Sequence, residues 1–575
     1  MAFGSQRKFG VVKGQSAYLC SMSLATSKNY QISPWVVMIA FAVLVGPFAL
    51  NFHMHYPDEM YYTDAAVKML QNGDYLTTYL GSGELRFKKP IGTYWTVLAG
   101  FKLFGVTPFA SRFFFLIAGA MTVGFTYWTA KVLFDDNRIA GLSALIMASN
   151  PVLIFSATRS IPDVLLVLTI TASAVGFAGL IRFGDASPKK YLWILYISLA
   201  LAFEVKGLPA AALGGIGLIY LLFNPWKKIS FTTLFHFPSI LVSVCIGLFW
   251  FLAMWKIHGP TYLDSFLEDQ VGRRVASRYL LIIQHAFLAL GILILIFLPW
   301  VLFALAKAKK SITTARKEDP AFFWFAILWG LAILGMGAMT SKFYERYLLP
   351  VAPVLSILLA WILVRAEFES KRTDLKITSW FFLILNSIVF LFSLWLNISL
   401  GTSFLVWIQF GLALLILLYL GRLTVKDIKL PKAIAYGFLL LFFLISTGTY
   451  QISLPDQGQQ FKAFAAQESI DPTVKIGFLG NLHTSSKIRI GLGTDYQLID
   501  LPSKAFRDKM GSFNHLIVED KYLDSIDASG FQTRVASVNW ASRAIPDLLK
   551  NAGNANFKQI LDKKGQKYYW LDRLE

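Results

Sequence analysis

Long apolar runs separated by short polar segments fill the chain as far as Ser453. Runs such as Trp35–Phe52 and Ala433–Thr449 approach the ~20 apolar residues that carry a helix across a ~30 Å hydrocarbon layer. Lipid offers backbone amides no partners, so each run is read as a helix. Candidate spans start near residues 34, 108, 138, 161, 190, 207, 236, 280, 322, 345, 377, 403 and 432, thirteen in all. The pattern predicts a mainly α, polytopic membrane protein.

Two stretches depart from it. In the first outer loop, residues 53–107, Pro57 and Asp58 read as a helix start and Gly73 as its stop. Tyr61, Tyr62, Ala65, Ala66, Met69 and Leu70 form one apolar face, with Asp64 and Lys68 pairing four residues apart elsewhere. The segment Pro90–Phe104 is apolar but too short to span, so both segments are predicted to be interfacial helices. After Leu454 the composition turns polar. There VKIGFLG, HLIVED and YYWLDR read as strands, with helices over Lys462–Gln467 and Ala544–Asn551, which predicts a small α/β domain. The expected organisation is a tail over 1–33, a membrane domain over 34–453 and the α/β domain over 454–575. GLGTD at 491–495 is too weak a pattern for a phosphate loop, and no repeat of solenoid period stands out.

Composition supports the membrane class: of 575 residues, 55% are hydrophobic and only 15% charged. Charge then orients the chain. Arg7, Lys8, Lys13 and Lys28 precede the first span without an acidic residue, placing the N-terminus in the cytoplasm. No small-residue cleavage signal follows the first run, which is therefore a retained span. Thirteen spans send the C-terminal domain outside. Most of the +20 net charge falls in cytoplasmic loops and tails, so it calls for no nucleic-acid partner. Cys20 and Cys245 are too separated for a disulfide framework or a thiolate metal site.

Polar residues that this topology places outside are Asp58 and Glu59; Arg86, Lys88 and Lys89; Arg159 and Asp163; Lys206; FLEDQVGRR at 266–274; and SKFYERYLLP at 341–350, with Lys342, Tyr344, Arg346 and Tyr347. Each has a plain account. Asp58 can cap a helix, lysines can snorkel from span ends, Arg159 and Asp163 can pair along a helix, and tyrosines can belong to an aromatic belt. As a set they are harder to dismiss, because outer loops should be poor in Lys and Arg. Cations beside carboxylates suit a site that clamps a phosphate while a carboxylate takes a proton or orients a nucleophile.

The order of these motifs resembles a known family. An Asp-Glu pair after the first span, FKKP at 87–90, Lys206-Gly207 and YLLP at 347–350 are similar to the membrane glycosyltransferases of the GT-C fold, in the aminoarabinose transferase and protein O-mannosyltransferase branch. The resemblance implies a polyprenyl-phosphate sugar as donor and transfer with inversion to a glycolipid, such as lipid A, or a protein. It implies that Asp58 is the catalytic carboxylate, with Glu59 beside it and Asp163 as a second acid. Lys89, Arg159, Lys206, Lys342, Tyr344, Arg346 and Tyr347 are then expected around the carrier phosphate.

The chain departs from the pattern at two positions. Aminoarabinose transferases read F-E-K-P and carry a distant histidine, a pair able to hold a metal; here Lys88 and Gln270 stand in their places. No metal ligands are therefore assigned, and the cofactor is left open; Asp269 and Glu268 are able to ligate a divalent cation but have no partner cluster of useful spacing. A transporter or flippase would show paired halves with broken helices at midplane, which the sequence lacks. A sensor built on the outer domain would leave Asp58, Lys89 and Lys206 without a reason to coexist.

Overall fold

The computed structural model describes residues 32–50, 57–272, 279–305, 308–366, 372–400, 403–453, 457–501, 510–539, 550–551 and 557–574. The basic N-terminal residues, Cys20, Arg273, Arg274 and most of the helix expected over Ala544–Asn551 lie outside them.

A helix begins near each of the thirteen expected starts. Among the described residues, nine are long and apolar enough to cross a membrane, or ten if the bent pair Asn137–Ala148 and Pro151–Ala157 counts as one span. Pro34–Leu50 and Leu208–Phe223 are shorter apolar helices. The 62° bend of the pair is built by Asn150, whose side chain accepts from the Val152 and Leu153 amides and so caps the second helix. Pro162–Phe183 and Glu345–Arg365 run through the centre, 83% and 78% buried over their apolar windows. Phe237–His258, Tyr279–Ile296, Thr373–Ser399 and Phe404–Val425 bury only 11–28% of theirs and present apolar side chains outward, as lipid-facing helices do. The chain is a multi-pass membrane protein.

Both short helices of the first outer loop form. Glu59–Asn72 ends at Gly73, whose φ of 71° is left-handed and whose amide donates to the Met69 carbonyl. Gly92–Phe104 packs beside it, with Tyr62 and Tyr94 rings 4.9 Å apart. Between them a small hairpin pairs Tyr79 with Leu85.

The C-terminal sheet has five strands, β1 (Lys475–Leu479), β2 (Gln497–Asp500), β3 (His515–Glu519), β4 (Phe531–Asn539) and β5 (Gln566–Arg573), in the order β2-β1-β3-β5-β4. β1 is parallel to β2 and β3, whereas β5 is antiparallel to β3 and β4. Phe461, Phe478, Ile488, Ile517 and Trp570 form one core of this region, while Leu479, Leu516, Val518 and Leu571 form a second. The helix Leu482–Leu492 carries Ile488 into the first core.

Candidate active site

Six segments distant in sequence bring charged side chains to one cavity of about 390 Å³: Asp58, Arg86 to Lys89, Asp163, Lys206, Asp269, and Lys342 with Arg346. Asp58 stands just before the Glu59–Asn72 helix and could have capped it, yet its side chain makes no capping bond. Its carboxylate is 44% exposed and meets Arg346 at 2.7 Å. Arg346 lies on a tight 3-10 turn, Glu345–Val351, where the sequence Tyr-Leu-Leu-Pro leads into the next helix. The same guanidinium reaches Asp163 through Nε at 3.4 Å.

Asp163 sits in the first turn of Pro162–Phe183, where Pro162 starts the helix and a carboxylate suits the positive end of its dipole. Its other oxygen accepts from Lys206 at 2.7 Å. Lys206 is the last residue of Lys189–Lys206, and Gly207, at φ 69°, ends that helix in a backbone region open to glycine. The result is a chain of alternating charge, Asp58–Arg346–Asp163–Lys206, contributed by four segments. Arg159 lies before this helix rather than on it, and the Asp163 carboxylate meets Lys206 and Arg346.

Aromatic rings support the cations. Tyr344 lies 4.3 Å from the Arg346 guanidinium, and Tyr347 lies 5.2 Å from the Lys206 ammonium. Lys342, Lys88 and Lys89 line the cavity, as does Arg86, whose guanidinium covers the Tyr61 ring at 3.7 Å. The cavity adjoins an apolar groove of about 290 Å³ lined by Leu166, Leu213, Ile333 and Met336, and the two share Lys89, Lys206, Thr340 and Tyr347.

Two expected site residues lie elsewhere. Glu59 is fully buried and held by both of its oxygens to Arg112 at 2.7 and 2.8 Å, with the Ser160 amide also donating to it. Glu59, expected beside Asp58 in the chemistry, is therefore enclosed by Arg112 and the Ser160 amide and is not among the cavity walls. Arg159 is not among the cavity walls; it lies against Phe155, 5.4 Å from the ring. Nor does Asp64 pair with Lys68. It meets Arg489 of the C-terminal region at 2.5 Å. Arg112 and Arg489 were not singled out in the sequence: Arg112 stands in the first turns of a long apolar helix, and Arg489 lies two residues after Lys487 in a mixed helix with no acidic neighbour.

The two positions where the resembled family can hold a metal are occupied here by Lys88 and Gln270, which join a hydrogen-bonded group. The Gln270 amide donates to the Lys88 carbonyl at 2.9 Å and to Asp269 at 2.8 Å, while its oxygen accepts from Lys89 at 3.3 Å. A cation placed there would face lysine ammonium groups. Among the described residues, no three His, Cys, Asp or Glu side chains gather at one point.

Residues 34–263 match the model of the dolichyl-phosphate-mannose-protein mannosyltransferase family. An undecaprenyl phosphate-α-4-amino-4-deoxy-L-arabinose arabinosyl transferase from Pectobacterium atrosepticum is 26% identical over 67% of this chain and 69% of its own length. A namesake from Pectobacterium carotovorum is 25% identical over 70% of this chain and 72% of its own. ArnT from Cupriavidus metallidurans, solved bound to undecaprenyl phosphate, superposes with a TM-score of 0.65 at 19% identity, over 88% of this chain and 96% of that one, a likeness of fold. The family-model match, the sequence relatives and the likeness of fold together support a membrane glycosyltransferase of GT-C type, similar to the aminoarabinose transferases and O-mannosyltransferases.

Proposed function

We propose that this transferase moves a sugar from a polyprenyl-phosphate carrier, of the undecaprenyl type, to a glycolipid such as lipid A on the periplasmic face. The observation that carries the reading is the junction of the polar cavity with the apolar groove. A lipid phosphate is apolar at one end and anionic at the other, and Lys89, Lys206 and Tyr347 stand where the two volumes meet. Proximal isoprene units fit the groove; the phosphate faces the cations. The names of the relatives support this donor class.

In this reading the acceptor oxygen attacks the anomeric carbon on the face opposite the carrier. The carbon–oxygen bond to the phosphate breaks, the bonding electrons leave with the phosphate, and the configuration inverts. Lys206 and Lys89 hold the departing charge by charge-assisted hydrogen bonds. Asp58, exposed to the cavity, takes the proton of a hydroxyl acceptor; a phosphate acceptor is already ionised, and Asp58 then orients it. Asp163, shared between Lys206 and Arg346, fixes those two cations relative to each other. The accompanying topology has thirteen spans, a cytoplasmic tail over 1–33, a membrane domain over 34–453 and a periplasmic domain over 454–575.

Mass spectrometry of glycolipids and envelope proteins from a deletion strain tests the function. A sugar mass missing from a glycolipid and restored by the wild-type gene is expected. Loss confined to glycoproteins would move the acceptor to protein, and unchanged profiles in both fractions would reject the reading.

A further inference from the structure

The C-terminal region touches the catalytic loop through a buried cluster that the chemistry above does not use. Arg489, on the helix Leu482–Leu492, is 1% exposed. Its Nη1 meets Asp64 at 2.5 Å and its Nη2 meets Asp500 of β2 at 3.0 Å. Thr63 and Ser486 hydroxyls lie 3.1 Å apart, and Gln71 donates to the Thr494 and Tyr496 carbonyls. The outer-loop hairpin is gripped as well: Arg489 Nη2 donates to the Gly81 carbonyl at 3.4 Å. A Cβ at Gly81 would collide with the Asp500 carboxylate and the Arg489 guanidinium, so the backbone there is pressed onto the cluster.

Both gripped segments lead directly into the cavity. Asp64 is on the helix that begins one residue after Asp58, and Gly81 is in the hairpin that runs on to Arg86, Lys88 and Lys89. A helix is stiff over a single turn and a half, so fixing it at Asp64 fixes the approach of Asp58 to Arg346. Misplacement of a reacting group by about 1 Å costs on the order of 10²-fold in rate.

We propose that the C-terminal α/β region is a positioning element of the active site, in which Arg489, clamped between Asp64 and Asp500, sets the placement of Asp58 and of the lysine-bearing hairpin. The consequence for turnover rests on the glycosyltransferase reading; the mechanical coupling does not.

The test uses the full-length protein in nanodiscs and in the complemented deletion strain. Arg489→Met is expected to insert at wild-type level and to bind undecaprenyl phosphate more weakly than wild type, because the hairpin that leads to Lys89 loses its anchor. Amide exchange across Glu59–Asn72 should rise, and sugar transfer should fall, by about tenfold or more. In the same background, with Cys20→Ser and Cys245→Ser, the pair Thr63→Cys and Ser486→Cys should form a disulfide on oxidation that restores slow exchange and transfer together. A merely structural role would not predict that rescue. Unchanged exchange in Arg489→Met, or a locked protein that exchanges slowly yet transfers as poorly as the unlocked one, overturns the proposal. Should Arg489→Met fail to accumulate, Gly81→Ala, which forces a methyl into the cluster, takes its place with the same expectations. If the wild type itself transfers no sugar, the functional reading falls and the exchange measurement alone decides the coupling.

Discussion

Asp58 and Glu59 are neighbours with opposite fates. One faces the cavity against Arg346; the other is sealed against Arg112. Asp58→Asn keeps shape and capping ability but cannot accept a proton, so it should lower turnover by ~10²–10⁴ for a hydroxyl acceptor while leaving the thermal midpoint near that of wild type. Glu59→Gln should do the reverse. It leaves Arg112 buried without its counter-charge, at a cost of about 3–5 kcal/mol, seen as a lower yield and midpoint before any change in turnover per folded molecule. Wild-type turnover in Asp58→Asn would remove Asp58 from the chemistry. The sequence marked both acids as unusual but could not tell them apart, because the residue that captures Glu59 is 53 positions away. For the same reason Asp64 was expected to pair with Lys68, a neighbour on its helix, and instead meets Arg489.

Elements were more legible than partners. The stop at Gly73, the start of the Pro162 helix and the Lys206–Gly207 break all follow from local backbone chemistry, which a sequence carries within a few residues. The strands β1, β3 and β5 were visible as apolar runs. β2 escaped because it has four residues, and β4 because a bulge between Val535 and Ser537 breaks its alternation. Contact between elements leads to a pH prediction. Burial raises the Asp64 carboxyl to about 6, with Asp500 adding to the rise and Arg489 opposing it. Lys68, on the next turn, is itself lowered by burial and by Arg489. A carboxyl raised on folding favours the protonated, folded form, so its stabilisation is lost as pH climbs through about 6. The thermal midpoint should therefore fall between about pH 4 and pH 6, and Asp64→Asn should flatten that slope. An unaltered slope in the variant would dissociate Asp64 from the effect.

At the scale of the whole molecule, the order of motifs along the chain was readable, whereas the convergence of six segments on one cavity depends on packing that no local pattern encodes. Orientation is the remaining test of that scale. A phosphatase fused after Glu575 should be active, as expected for a C-terminus outside the cytoplasm; an expressed but inactive fusion would reverse the topology. The long separation between contacting segments also bears on biosynthesis. Thr63 leaves the ribosome 423 residues ahead of Ser486, so at ~5–20 residues per second the helix that carries it waits roughly 20–85 s for the surface that receives it. A nascent chain that stalls before the C-terminal sheet has all its apolar helices but no seat for the loop bearing Asp58. If the C-terminal region positions Asp58 as proposed, a chain truncated before the sheet is expected to insert yet transfer little sugar, so unfinished copies would spare the lipid-linked sugar pool.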